Sequence, residues 1–139
     1  MPFTLTMERG RYTHYLPALG RLLLATIFLI SGIGKLAAPA ATIAYIGSTG
    51  APFPLVGYAI AVAVEVGGGL LILLGYKARV VAAVMAVFAV ATAFLFHHNF
   101  GDQNQMIHFL KNLAIAGGFL QIVAFGAGSF SLDARKLSL

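Results

Sequence analysis

Residues 58–76 read YAIAVAVEVGGGLLILLGY, and all but one of them are apolar, glycine or tyrosine. The exception is Glu65, which has no basic residue near it in sequence. A helix needs roughly 20 apolar residues to cross the hydrocarbon core of a bilayer, and residue 65 is the midpoint of the apolar run 55–75. At 1.5 Å rise per residue, the carboxylate then lies about 15 Å from either end of the span. An unpaired ionised side chain at that depth costs roughly 2.5–3.5 kcal/mol on insertion scales. Glu65 must therefore either keep its proton or meet a cation inside a bundle of helices.

The rest of the chain supplies the bundle. Of 139 residues, 60% are hydrophobic and 9% charged, with a mean hydropathy of +0.91. A soluble domain carries about 25% charged residues because its exterior must be wetted; this chain has too few and meets lipid instead. Four apolar runs, at residues 16–36, 55–75, 80–96 and 107–127, are long enough to span. The expected fold is all-α, an integral membrane four-helix bundle that forms a single domain over residues 1–139. Runs two and three are joined only by Tyr76-Lys77-Ala78-Arg79 and make a tight hairpin. The first loop, residues 37–54, is the one long connection. Its centre, AATIAYIGS, suits a short helix along the membrane surface, and Pro54 suits the first helical position of the second span.

Charge placement gives an orientation. Arg9, Arg11, Arg21, Lys77, Arg79, Arg135 and Lys136 belong to the two tails and the second loop, while Lys35 and Lys111 belong to the first and third loops with their helix ends. By the positive-inside rule both termini are cytoplasmic, and the expected location is the bacterial cytoplasmic (inner) membrane. The same scattering of cations, with no continuous basic face, argues against a nucleic-acid partner; the lipid bilayer is the partner that composition implies. A cleavable signal peptide is the competing reading of run one. Lys35, however, falls between the apolar stretch and AAPAA, the only candidate cleavage site, and the run is long enough to span. The absence of cysteine excludes thiol–disulfide chemistry, thiolate zinc sites and cysteine-ligated iron–sulfur clusters from this chain.

Three helices offer polar residues to the interior. Ala61, Glu65, Gly68 and Gly69 form a strip of small residues that lets another helix approach Glu65 closely. On the first span Arg21, Ala25, Phe28, Gly32 and Lys35 lie along one face, with Ser31 adding a hydroxyl, and on the fourth Lys111, Ala114, Gly118 and Gln121 form a comparable stripe beside Asn112. If the stripes converge, a polar thread runs from Lys35 and Lys111 through Glu65 to Arg21. The alternative is structural: Glu65 as a neutral hydrogen-bonding pin, with the lysines and Arg21 snorkelling to the interfaces. His97, His98 and His108 cluster with Asp102 near the outer surface, but neighbouring histidines at a helix exit more often mark an interface, and no metal or haem is expected there. No phosphate loop, nucleophile–base pair or dinucleotide fingerprint is present, so no catalytic residue is assigned and no complete catalytic site is evident.

Several segments resemble the DoxX family of small bacterial membrane proteins: GRLLLATIFLISGIGKL in the first span, GAPFP before the second, EVGGGLLILLGYKAR within and after it, FLKNLAIAGGFL in the fourth, and the closing SFSLD. The resemblance covers about residues 17–133. It implies a four-helix protein of the cytoplasmic membrane and an association with quinone-linked oxidoreductase or oxidative-stress systems. It also points to Gly32, Lys35, Glu65, Lys111 and Asn112 as the positions to carry over, without established catalytic roles. Two readings follow: an accessory subunit that binds a quinone-like lipophilic ligand near Glu65, with a redox membrane or soluble protein or a second copy of itself as partner; or a non-catalytic factor for assembly or stability of other membrane proteins. Reporter fusions after residues 50 and 104 are expected to report an external location and fusions after residue 77 and at the C-terminus an internal one; an external C-terminal reporter overturns the orientation and the span count together.

Overall fold

A computed structural model describes residues 2–137, with side chains described for residues 11–135. Arg9 and Lys136, two of the cations used for orientation, have side chains outside the described residues. The elements are α1 (Pro2–Ala37), α2 (Pro39–Ser48), α3 (Pro54–Val62), a π-helical turn (Ala63–Gly68), α4 (Gly69–Leu74), α5 (Ala78–Phe96), α6 (Gln103–Phe125) and α7 (Leu132–Leu137). The second span is thus one continuous rod, α3–π–α4, with a local change of pitch at Glu65. Four helices are long and apolar enough to cross a membrane: Arg11–Ala37, Pro54–Leu74, Ala78–Phe96 and Gln103–Phe125. All regular structure among the described residues is helical. The four-helix membrane bundle expected from hydropathy is the fold.

The packing falls into two pairs. α5 and α6 form the tightest pair, α1 packs along α3, the π turn and α4, and α1 touches α6 at few points. The seam between the pairs is filled by Ala25, Phe28, Ile72, Met85 and Phe119, all less than 9% exposed. Phe28 anchors it, its ring 5.5 Å from Phe119 and 6.5 Å from Phe88. The predicted face of α1 points inward: Arg21, Ala25, Phe28 and Gly32 are buried and Lys35 is half-buried. The stripe expected on α6 does not. Lys111, Ala114 and Gln121 are exposed, and the inward face is instead Asn112, Ile115, Ala116, Phe119 and Ile122. In lipid both faces of a helix are apolar, so larger side chains can win the seam over small and polar ones.

The end carrying the termini is closed by backbone chemistry. Gly75 ends α4 with φ +70°, and the Tyr76 and Gly75 amides donate to the carbonyls of Leu71 and Ile72 at 3.0 and 3.1 Å, a Schellman cap. The C-terminal carbonyls of α4 also receive Arg21: Nη1 donates to Ile72 at 3.1 Å and to Leu73 at 2.9 Å. Nε donates to the Ala127 carbonyl at 2.9 Å and Nη2 to that of Phe130. Arg21 is 3% exposed, so the snorkelling alternative does not hold for it. The negative ends of two helices and the orphan carbonyls compensate its charge. Asp133 completes the closure by accepting from the Lys77 and Ala78 amides at 2.7 and 2.9 Å, which caps α5. Replacing Arg21 with Met leaves buried carbonyls unmatched at about 1–3 kcal/mol each. The expected result is a thermal midpoint in detergent lowered by about 5 °C or more, with Arg21→Lys only partly restored and the exposed Arg11→Gln unchanged.

Candidate functional site

The opposite end of the bundle, where α1 stops and α3 begins, is organised around Glu65. Its side chain is buried, at 6% exposure for the residue. The π turn carries it toward α1, where Gly32 makes the approach possible: a Cβ added at Gly32 would lie 2.6 Å from Val66 Cγ2, 3.1 Å from Glu65 Cβ and 3.2 Å from the Val66 amide nitrogen. Ser31 and Lys35, one helical turn apart on α1, close on the carboxylate. Ser31 Oγ donates to Oε1 at 3.0 Å, Lys35 Nζ donates to Oε1 at 3.0 Å and to Ser31 Oγ at 2.9 Å. Nζ also lies 2.9 Å from Oε2. That second approach is an electrostatic pairing without hydrogen-bond direction, so Oε2 accepts no hydrogen bond from the described residues. Lys35 is held in turn by its own backbone, since the Tyr58 hydroxyl donates to the Lys35 carbonyl at 3.1 Å. Glu65 is therefore cation-paired, and its cation is Lys35.

The other expected members are placed elsewhere. Lys111 does not reach Glu65; its Nζ lies 3.1 Å from His108 Nδ1. Arg21 belongs to the closed end, and Gln121 lies exposed beside a shallow groove between α1 and α6. Asn112 faces inward and its Nδ2 donates to Thr92 Oγ1 at 3.1 Å. The single thread expected from the stripes is thus four separate clusters: Ser31–Lys35–Glu65, Asn112–Thr92, Lys111–His108, and Arg21 with its carbonyls. Two contributors were missed: Thr92, the one hydroxyl in an otherwise apolar third span, and the π turn itself. The available signal was the run Gly67–Gly69 directly after Glu65, because three glycines leave a helix free to change pitch. Single π turns inside α-helices frequently sit at functional sites.

All but the Arg21 cluster contribute to one cavity of about 580 Å³, bounded by α1, α2, α3, the π turn, α5 and α6. Phe28 and Phe88 line its deep end, and Lys35, Glu65, Ser31, Thr92 and Asn112 place polar groups on its walls. The short α2 lies across it, with Tyr45 stacked on Phe96 at 6.0 Å between centroids. A mostly apolar hollow with a few convergent polar groups is the usual form of a small-molecule site. His97 and Lys111 also line the cavity, at the mouth beside the loop that joins α5 to α6. His97 titrates below the ordinary imidazole range, because burial disfavours its charged form and because His108 and Lys111 repel a second positive charge.

A membrane-embedded bundle with one buried ion pair over a ligand-sized cavity defines the class of protein. The DoxX family model matches residues 16–98, and the chain belongs to the DoxX family. It is 40% identical over 116 residues to "Inner membrane protein YqjF" of Escherichia coli (strain K12), covering 81% of this chain and 85% of that protein. It is 38% identical over 122 residues to "Inner membrane protein YphA" of the same organism, covering 84% and 87%. No solved structure matches. The chain is accordingly a multi-pass protein of the bacterial inner membrane. Gly32→Ala is expected to force α1 off the π turn and cost about 1–3 kcal/mol, seen as a lowered thermal midpoint. Gly34→Ala and Gly67→Ala, where a Cβ meets nothing within 4 Å, should leave it unchanged.

Proposed function

We propose that this protein is an accessory subunit of a membrane redox system that holds a quinone-like ligand in the cavity beside Glu65. The observation that carries the reading is the carboxylate itself: buried, paired with Lys35, and part of the wall of a ligand-sized, mostly apolar hollow. A quinone ring carries two carbonyl oxygens that need donors in an otherwise apolar site. Lys35 and the Asn112 amide are among the donors that line the cavity. The quinol form has hydroxyls, and the Glu65 carboxylate accepts from them; a carboxylate next to a lysine also takes up or returns the proton that accompanies quinol oxidation. Electron transfer belongs to a redox partner, membrane-bound or soluble, because this chain supplies no cysteine and no catalytic set of its own.

The test is Glu65→Gln, which keeps size and hydrogen-bonding capacity while removing the charge. Lys35 retains partial exposure and so tolerates the loss of its partner. Membrane insertion and yield are expected to be normal, with quinone co-purified in neutral detergent reduced by about tenfold or more, the equivalent of about 1.4 kcal/mol. Should the variant retain all that the parent retains, Glu65 is a structural pin and the protein fits the assembly-factor reading instead.

A further inference from the structure

The mouth of the cavity carries charge that a neutral quinone does not use. His97, which ends α5, and Lys111 of α6 both line it. The His97 and His108 rings stand 5.1 Å apart with 32° between their planes. An ammonium has no lone pair, so the 3.1 Å contact between Lys111 Nζ and His108 Nδ1 has lysine donating. Three basic side chains gather at this edge: His97 and Lys111 line the cavity, His108 touches both from just outside it, and no described carboxylate pairs with them. Asp102 caps α6 through the Asn104 amide at 2.9 Å, and Glu65 is held by Lys35. His98 takes no part, because its Nδ1 sits 3.0 Å from the Phe94 carbonyl on its own helix.

The cavity behind this edge is apolar and continuous with it. A small hydrated anion would gain little from an exposed lysine alone, since surface ion pairs contribute about 0–1 kcal/mol. An anion tethered to an apolar chain adds the burial of that chain, at about 0.8 kcal/mol per CH₂ group. We propose that His97, His108 and Lys111 form a rim that binds the oxyanion head group of a single-chain amphiphile, whose chain fills the cavity beneath. Carboxylate, phosphate and sulfonate share the required chemistry. The inference goes beyond the quinone reading and does not rest on it: the two ligands share the hollow and compete for it, but use different polar ends.

The rim also sets a pH dependence. The groups around His97 are His108 and Lys111 on α6, the Lys35–Glu65 pair and Tyr45 along the cavity wall, and Asp102 in the following loop. In the empty rim, burial and the neighbouring positive charges of His108 and Lys111 lower the His97 pKa. A bound anion reverses the sign of that field and raises the imidazole's pKa, so binding takes up a proton and tightens as pH falls through the histidine range.

The test uses the full chain in neutral detergent, with native mass spectrometry counting retained probe. Hexadecylsulfonate stays charged at all working pH values, hexadecanol has the chain without the charge, and methanesulfonate has the charge without the chain. Saturable retention of one hexadecylsulfonate is expected, weakened about tenfold or more by Lys111→Gln and by His97→Gln. Affinity should rise between about pH 8 and about pH 5.5, and His97→Gln should abolish that rise. Glu65→Gln should leave sulfonate retention intact even where it loses quinone, which separates the two proposals. Equal retention of hexadecanol, equal binding of methanesulfonate, indifference to both rim substitutions, or loss of sulfonate in Glu65→Gln would each overturn the rim.

Discussion

A carboxylate at mid-depth in a membrane helix must be compensated within a few ångströms, and the distal half of this bundle is arranged around that requirement. Lys35 reaches Glu65 because Gly32 lets α1 touch the backbone of the second span, and because a π turn presents residue 65 toward α1. Ser31, one turn before Lys35, fills the remaining position on Oε1. Large aromatic side chains seal the seam on its deep side, and toward the loops the walls part into a cavity. The arrangement that makes the carboxylate tolerable in lipid also places it in the wall of a hollow.

The two ends of the bundle solve opposite problems. At the end with the termini, buried charge is matched to backbone: Arg21 satisfies four carbonyls and Asp133 caps two amides. Such contacts are short, directional and specific to one geometry, so this end acts as a clasp joining α1, α4, α5 and the segment after α6. At the other end, charge is matched to side chains along a cavity wall, and His97 and Lys111 stand at its mouth with no carboxylate partner.

Membership of the DoxX family and the likeness to two inner-membrane proteins fix location and architecture. What the cavity holds is carried by the chemistry of its walls. Lys35, Glu65 and Asn112 offer donors and an acceptor to a neutral polar ring, whereas His97, His108 and Lys111 offer positive charge to an anion.

Hydropathy alone determined that the chain is all-helical, crosses a membrane four times and carries a carboxylate that must be compensated. These follow from the length of the runs and the cost of an exposed backbone or charge in lipid, which no tertiary contact can change. The inward face of α1 was legible too, because Arg21 and Lys35 mark it at both ends. The partner of Glu65 was not: Lys35, Lys111 and Arg21 were all plausible, and the choice depended on how closely α1 could approach, which rests on one glycine and a π turn. Nor was the inward face of α6, where Phe119 and Ile122 displaced the small and polar stripe. In water such a stripe is read from the contrast between wet and dry faces; in lipid that contrast is missing, and packing volume decides.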